Sequence, residues 1–232
     1  MKIAVTSDTH GNLPEIEPCE VLCICGDVSP LKEQLSIILM EEWICSEFIP
    51  WINKLPCNQV IMTPGNHDFY FEYIKDNDSR IYEIFTKPTK GKLEILYNTV
   101  CNILSEDGNV YKIFGTPYCK IFGRWAFMVN DEMLQKYYSE MPKDCDIIIT
   151  HDSPSVGKYG TIQEGKNKGV NAGNKLLAEE IKLKSPKYVF SGHIHSGEHV
   201  LGNYKGYTSK FANVSYLNES YNNTYNVLYL EI

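Results

Sequence analysis

"KIAVTSDTHG", residues 2–11, decides the fold: a short apolar run rich in β-branched residues is stopped by Asp8, Thr9 and His10, and then by a glycine. Such a run reads as a buried sheet strand, and its polar stop sets a carboxylate and an imidazole just past the strand's carboxyl end. The same punctuation recurs along the chain. "VLCICG" (21–26) runs into Asp27, and "QVIMTPG" (59–65) runs into Asn66, His67 and Asp68. "DIIIT" (146–150) runs into His151 and Asp152, and "KYVFSG" (187–192) runs into His193, Ile194 and His195. Two further strand-like runs are "VYKIFG" (110–115) and "NVLYLEI" (226–232), and helical spacing occupies roughly 32–55, 69–86, 130–140 and 172–184. Alternating strands and helices favour an α/β layered fold.

Open α/β sheets gather ligands beyond the carboxyl ends of their strands, so five of the six histidines are expected on one rim. Taken singly, each polar residue is an ordinary turn Asp, capping Asn or exposed His. Five strand ends carrying metal-type donors by accident are hard to sustain. Imidazoles, carboxylates and an Asn carbonyl form a mixed nitrogen and oxygen set, suited to Mn, Fe, Zn, Ni or Co rather than to a thiolate site. The donors are too many for one ion with open positions, and two metals about 3.5–4 Å apart are the natural count. Gly26, Gly65 and Gly192 are expected to let the backbone pass close to them.

The chain has 232 residues, 43% hydrophobic and 22% charged, with no linker, repeat or low-complexity tract, and is expected to form one domain over 1–232. A formal charge of −7 argues against an extended nucleic-acid surface but leaves small nucleotides open. The N-terminus lacks the apolar core of a signal peptide, and no run approaches the length of a membrane span, so a cytoplasmic protein is expected. Its eight cysteines are then expected to stay reduced, with Cys23 and Cys25 on one face of a strand. Trp43 and Trp51 share a helix face, and Pro50 between them is expected to break or kink that helix.

Asp-x-His, Gly-Asp, Gly-Asn-His-Asp, a lone His after a strand, and Gly-His-x-His, in that order over residues 8–195, resemble the calcineurin-like metallophosphoesterase superfamily. The resemblance implies a four-layer αββα sandwich of two mixed β-sheets flanked by helices. It implies that Asp8, His10 and His195 hold one metal, that Asn66, His151 and His193 hold the other, and that Asp27 bridges them. His67 would face the scissile phosphate as a donor to its oxygens or leaving group. The expected cofactors are two divalent ions, manganese first, with iron, zinc, nickel or cobalt as alternatives. Attack would come from a metal-bridging hydroxide, its water acidified from 15.7 towards about 7.

The finer pattern resembles the metallophosphoesterase-domain-containing proteins and class III cyclic-nucleotide phosphodiesterases, through "IFGTPYCKIFGRWAFMVN" (113–130), "DIIITHDSPSVGKYG" (146–160) and "FANVSY" (211–216). That implies a phosphodiesterase for cyclic or other small nucleotides. A phosphomonoesterase, a phosphoprotein phosphatase and a non-catalytic metal-bound scaffold are the alternatives; "GDVSP" lacks the Gly-Asp-x-x-Asp-Arg-Gly of the serine/threonine phosphatases. Phe69, Tyr70, Phe71, Tyr118, Phe122, Trp125 and Phe127 either wall a base pocket or pack in the core. Lys158, Lys166, Lys168 and Lys175 lie in a glycine-rich loop that either meets phosphate or is simply solvated, and Asn171 or Asn174 is expected to cap the next helix. His199 is expected at the surface.

Overall fold

Alternation within the apolar runs sets the layers. In a computed structural model, which describes residues 1–232, β1 (Lys2–Thr6), β2 (Cys19–Ile24), β3 (Cys57–Met62) and β4 (Leu93–Ile95) run parallel in one sheet. A second sheet begins with the antiparallel pair β5 (Thr99–Leu104) and β6 (Val110–Thr116). After a small ribbon of β7 (Cys119–Lys120) and β8 (Met128–Val129), that sheet continues through β9 (Ile147–Thr150), β10 (Tyr188–Ser191), β11 (Gly202–Asn203) and β12 (Lys210–Asn213). Finally β13 (Leu228–Glu231) returns to pair antiparallel with β1. The spatial orders are β13-β1-β2-β3-β4 and β11-β12-β10-β9-β6-β5, so both sheets are mixed.

Ile3 and Val5 of β1 and Val21 and Cys23 of β2 share a buried cluster with Ile113, Ile147, Ile149 and Phe190 of the other sheet, which fills the space between the two. The intervening residues Ala4, Leu22, Phe114, Ile148 and Val189 belong to a larger cluster built with the helices. Strands covered on both faces lose the apolar–polar alternation of a surface sheet, which is why these runs read as nearly continuous.

Helices fill the crossovers between parallel strands. Between β2 and β3, α1 (Ile37–Trp43) passes through a π-helical turn, Ile44–Phe48, into α2 (Ile49–Lys54). Of the break or kink expected at Pro50, the break does not occur: the helix continues, with its distortion taken up in the π turn. Pro50 falls in the first turn of α2, directly after the π turn, where a missing N–H is tolerated. Trp43 and Trp51 both pack against Phe48, at ring-centroid distances of 5.5 and 5.8 Å. Between β3 and β4 lie α3 (Phe69–Ile74), α4 (Asp78–Ile81) and a second π-helical turn, Tyr82–Thr86. On the second sheet α5 (Asp131–Ser139) and α6 (Lys175–Lys184) fill the crossovers, with Asn130 and Asn174 as their N-caps. The result is two mixed sheets face to face, flanked by helices.

Ser7, just past β1, bridges in parallel to Ser215, just past β12. That link joins the two sheets where the carboxyl ends of β1, β2, β3, β9 and β10 come together. No helix is long and apolar enough to cross a membrane.

Candidate metal centre

The turns that follow these strands are strained. Asp8 (φ 51°), His10 (φ 42°), Asp27 (φ 54°) and His193 (φ 68°) all adopt the left-handed region that non-glycine residues avoid. Strain of this kind persists only where surrounding bonds over-determine it, and here they do. The backbone N–H of Asp8 donates to Gly26 O at 2.9 Å and that of His10 to Asp27 O at 3.0 Å, so the first two loops are laced together. The N–H of His193 donates to both carboxylate oxygens of Asp8, at 3.1 and 3.0 Å. Such closeness excludes side chains at the glycines: a Cβ on Gly26 (φ +91°) would meet His151 Nδ1 at 2.8 Å, and one on Gly192 would overlap Ser7 Oγ and Asp8 Oδ2.

All seven donors expected from the sequence converge. Donor atoms of Asp8, His10 and His195 lie within 4.8 Å of one another, with His195 Nε2 at 3.3 Å from Asp8 Oδ1. Asn66 Oδ1 lies 2.8 Å from His151 Nε2 and 2.8 Å from His193 Nδ1, which gathers the second trio. Asp27 stands between the trios: its Oδ2 is 3.8 Å from His10 Nε2 and 3.3 Å from His151 Nε2. His67 is the eighth residue; its ring lies 4.9 Å from that of His10, and its backbone N–H donates to Asp27 Oδ1 at 2.7 Å.

The donor set fits divalent cations. Both ring nitrogens of His10 are shielded from solvent and have no hydrogen-bond partner in the protein, which leaves the lone pair of the neutral ring free for a cation. Burial pushes the carboxyls of Asp8 and Asp27 up, but the surrounding histidines overcome it and hold both below the usual carboxylate range. Burial likewise depresses His10 and His193 to about 4. It also opposes charge on His151 and His195, yet the fields and hydrogen bonds of Asp27 and Asp8 carry them up to about 10 and about 9. Two buried carboxylates thus draw positive charge into the cluster.

A second layer of polar residues holds the donor loops, and most of it carries no strand-end signature. Asp68 lies inside the Gly-Asn-His-Asp motif, and its carboxylate accepts from Asp27 N, Gly65 N, Ser29 N and Ser29 Oγ, at 2.6–3.0 Å, which ties the β2 and β3 loops together. Asn213 donates to Gly192 O at 3.1 Å and Ile194 O at 2.8 Å, and Ser215 Oγ donates to Asp8 Oδ2 at 2.8 Å. The late Asn-x-Ser of "FANVSY" therefore clasps the His193–His195 turn. Tyr221 (φ 58°) stands edge-on to His10 and His195, at 5.0 and 5.2 Å. The carbonyl of Asn218 accepts from Tyr221 N and lies 2.9 Å from His195 Nδ1. His199 is not a free surface residue, as its spacing had implied: it is half-buried, stacks on Tyr225 at 3.7 Å, and its Nε2 lies 3.1 Å from His195 O.

A cavity of about 400 Å³ opens beside the cluster. The candidate aromatics divide between it and the core. Tyr70, Phe71, Tyr118 and Phe127 are buried in the core, and Phe69 packs against it. Trp125 lies over His67 at 4.4 Å, and the half-exposed Phe122 lies over His193 at 5.1 Å, so these two wall the cavity. Lys120, which the sequence did not single out, is the lysine on that wall, its Nζ held by the carbonyls of Ala172 and Gly173. Lys158, Lys166, Lys168 and Lys175 point to solvent. A larger groove, about 670 Å³ between Glu15, Glu17 and Tyr229, contains none of the donors.

Residues 1–197 match the calcineurin-like phosphoesterases, a span that includes every donor named above. The chain belongs to that family. Among curated relatives, metallophosphoesterase domain-containing protein 1 of Homo sapiens and of Mus musculus are each 26% identical over 214 residues, 86% of this chain and 62% of theirs. The chain thus spans 62% of the length of those relatives. Among solved structures, the phosphopantetheinyl hydrolase of Mycobacterium tuberculosis superposes with a TM-score of 0.55 at 13% identity, over 92% of this chain and 88% of that one. At that identity the likeness concerns the fold, and it agrees with two mixed sheets flanked by helices.

Proposed function

We propose that this member of the family is a phosphoesterase dependent on two divalent cations, and that it hydrolyses small phosphodiesters, cyclic or other small nucleotides among them. The observation that carries the reading is the convergence of seven donors from five strand ends beside an aromatic-walled cavity. Asp8, His10 and His195 would hold one cation, Asn66, His151 and His193 the other, and Asp27, which faces one histidine of each trio, would be shared. The mixed nitrogen and oxygen set suits manganese first, with iron, zinc, nickel or cobalt as substitutes. We read residues 1–232 as one domain acting in the cytoplasm, where eight unpaired cysteines suit a reducing environment.

Bound there, two cations would supply Lewis acidity for phosphoryl oxygens and for an attacking water. The chain's own residues do the rest. Asp27 presents Oδ2 to the cluster while its Oδ1 accepts the His67 N–H, so the shared carboxylate and the proton-handling histidine keep one register. In its charged form His67 donates the Nε2 hydrogen to the departing oxygen and returns to the neutral ring that keeps its hydrogen on Nδ1. Trp125 and Phe122 exclude water from one side and offer flat faces to a base. The cavity wall adds one cation, Lys120, and one carboxylate, Glu219, and so brings no net positive charge of its own. That balance suits a diester monoanion better than a monoester dianion.

The test is hydrolysis of bis-p-nitrophenyl phosphate against p-nitrophenyl phosphate, with chelated protein reloaded in turn with Mn, Fe, Zn, Ni and Co. Faster diester cleavage supports the proposal and leads to cyclic nucleotides next. Faster monoester cleavage makes the protein a phosphomonoesterase, and two tightly held metals with no turnover of any phosphoester make it a scaffold.

A further inference from the structure

We propose that Gln34 is a positioning residue that fixes the tautomer of His67, and so decides which ring nitrogen meets the substrate. The inference rests on the reading of His67 as the group that handles the proton. Gln34 lies in the turn between β2 and α1, anchored by its own N–H to Pro30 O at 3.1 Å, and its side chain is buried. Its Nε2 donates to Leu31 O at 2.9 Å. A backbone carbonyl can only accept, so the amide has one orientation, and Oε1 must be the atom that faces His67 Nδ1 at 2.6 Å. An amide oxygen also only accepts, so Nδ1 must carry the hydrogen. In the neutral ring the lone pair then sits on Nε2, the nitrogen without a protein partner, on a side chain that lines the cavity.

The ring is fixed in orientation as well as in tautomer. Trp125 covers one face at 4.4 Å, and the His10 ring stands at 87° to it. Rotating the imidazole to offer Nδ1 to the cavity would break the Gln34 bond and leave a buried amide oxygen unpaired. A buried amide also accepts the Nδ1 hydrogen without adding negative charge beside Asp27. Sequence spacing gave Gln34 no distinction, because it belongs to an irregular turn in which its apolar neighbours Leu31 and Leu35 are exposed.

The experiment is a long-range proton–nitrogen NMR correlation of the histidine rings, on metal-stripped and zinc-loaded protein, for wild type, Gln34→Leu and Gln34→Glu. In the wild type, His67 should show a protonated Nδ1 and a bare Nε2 in its neutral form. Gln34→Leu should shift the population toward the Nε2–H tautomer, and Gln34→Glu, which accepts the same hydrogen, should restore it. With metal content and melting temperature matched, Gln34→Leu should lower kcat by about 10- to 1000-fold with KM nearly unchanged. A bare Nδ1 in the wild type overturns the proposal without any variant having to fold. An unchanged tautomer in Gln34→Leu, or a wild-type kcat despite a changed one, also overturns it. Because the spectrum needs no substrate, failure to find a phosphoester substrate would count against the proposed function and leave this test intact.

Discussion

Replacing Asn213 by alanine should loosen the turn that carries His193 and His195 without removing any donor. The side chain is 1% exposed and makes three short hydrogen bonds: Nδ2 to Gly192 O and Ile194 O, and Oδ1 from Ser215 N at 3.0 Å. The two carbonyls keep other donors, since Ser153 Oγ reaches Gly192 O at 2.6 Å and Gly197 N reaches Ile194 O at 2.8 Å. Ser215 N loses its side-chain acceptor and is left buried. One orphaned donor and two weakened acceptors give an expected loss of about 2–4 kcal/mol. Because Ser215 also holds Asp8, and Ile194 sits between two donor histidines, metal affinity should fall by about 10- to 100-fold as well. Urea denaturation of the stripped protein and calorimetric titration with Zn²⁺ measure the two effects separately. Stability within about 0.5 kcal/mol of wild type together with an unchanged Kd would refute the clasp.

Four other outcomes are expected. In metal-stripped protein His151 and His195 stay protonated at pH 7, being held at about 10 and about 9, so loading should release about two protons per chain and tighten as pH rises toward 9; titration calorimetry in buffers of different ionisation enthalpy reads this, and release near zero contradicts it. These two folded values lie above the unfolded one, so the stability they give the stripped chain is complete below about pH 6.5 and fades through pH 9–10, whereas His10 and His193, near 4, cost stability as pH falls from about 6.5 to 4. His67→Ala should keep both metals and lose about 10²- to 10⁴-fold in kcat; loss of metal in that variant would mean His67 is a ligand. Phe122→Ala should raise KM for a cyclic nucleotide by about 5- to 100-fold, and no change in steady-state KM would remove it from the base contact.

Strand ends were legible because there chain direction, burial and donor chemistry coincide. The run at 2–7 became Lys2–Thr6, and the run at 187–192 became Tyr188–Ser191. Strands missed from sequence are the short or edge ones. In β5, Val100 and Leu104 face solvent while Cys101 and Ile103 are buried, so apolar residues on both faces hide the period. The π-helical turn before Pro50 was illegible because propensity anticipates a break, whereas packing of Phe48 between Trp43 and Trp51 holds the helix together. Around the proposed metal centre, the seven candidate donors lie in the strand-end motifs and could be read from them. Gln34, Tyr221 and Asn218 come from irregular turns, and only three-dimensional proximity gives them a role.

Metal content per chain, measured after reloading with Mn²⁺ or Zn²⁺ and exhaustive desalting, tests the central claim most directly, with Asp27→Asn beside the wild type. Two ions in the wild type and a loss of metal in Asp27→Asn are the predicted result, because one carboxylate faces a histidine of each trio. At most one ion in the wild type, or two retained in Asp27→Asn, would contradict a shared two-cation centre.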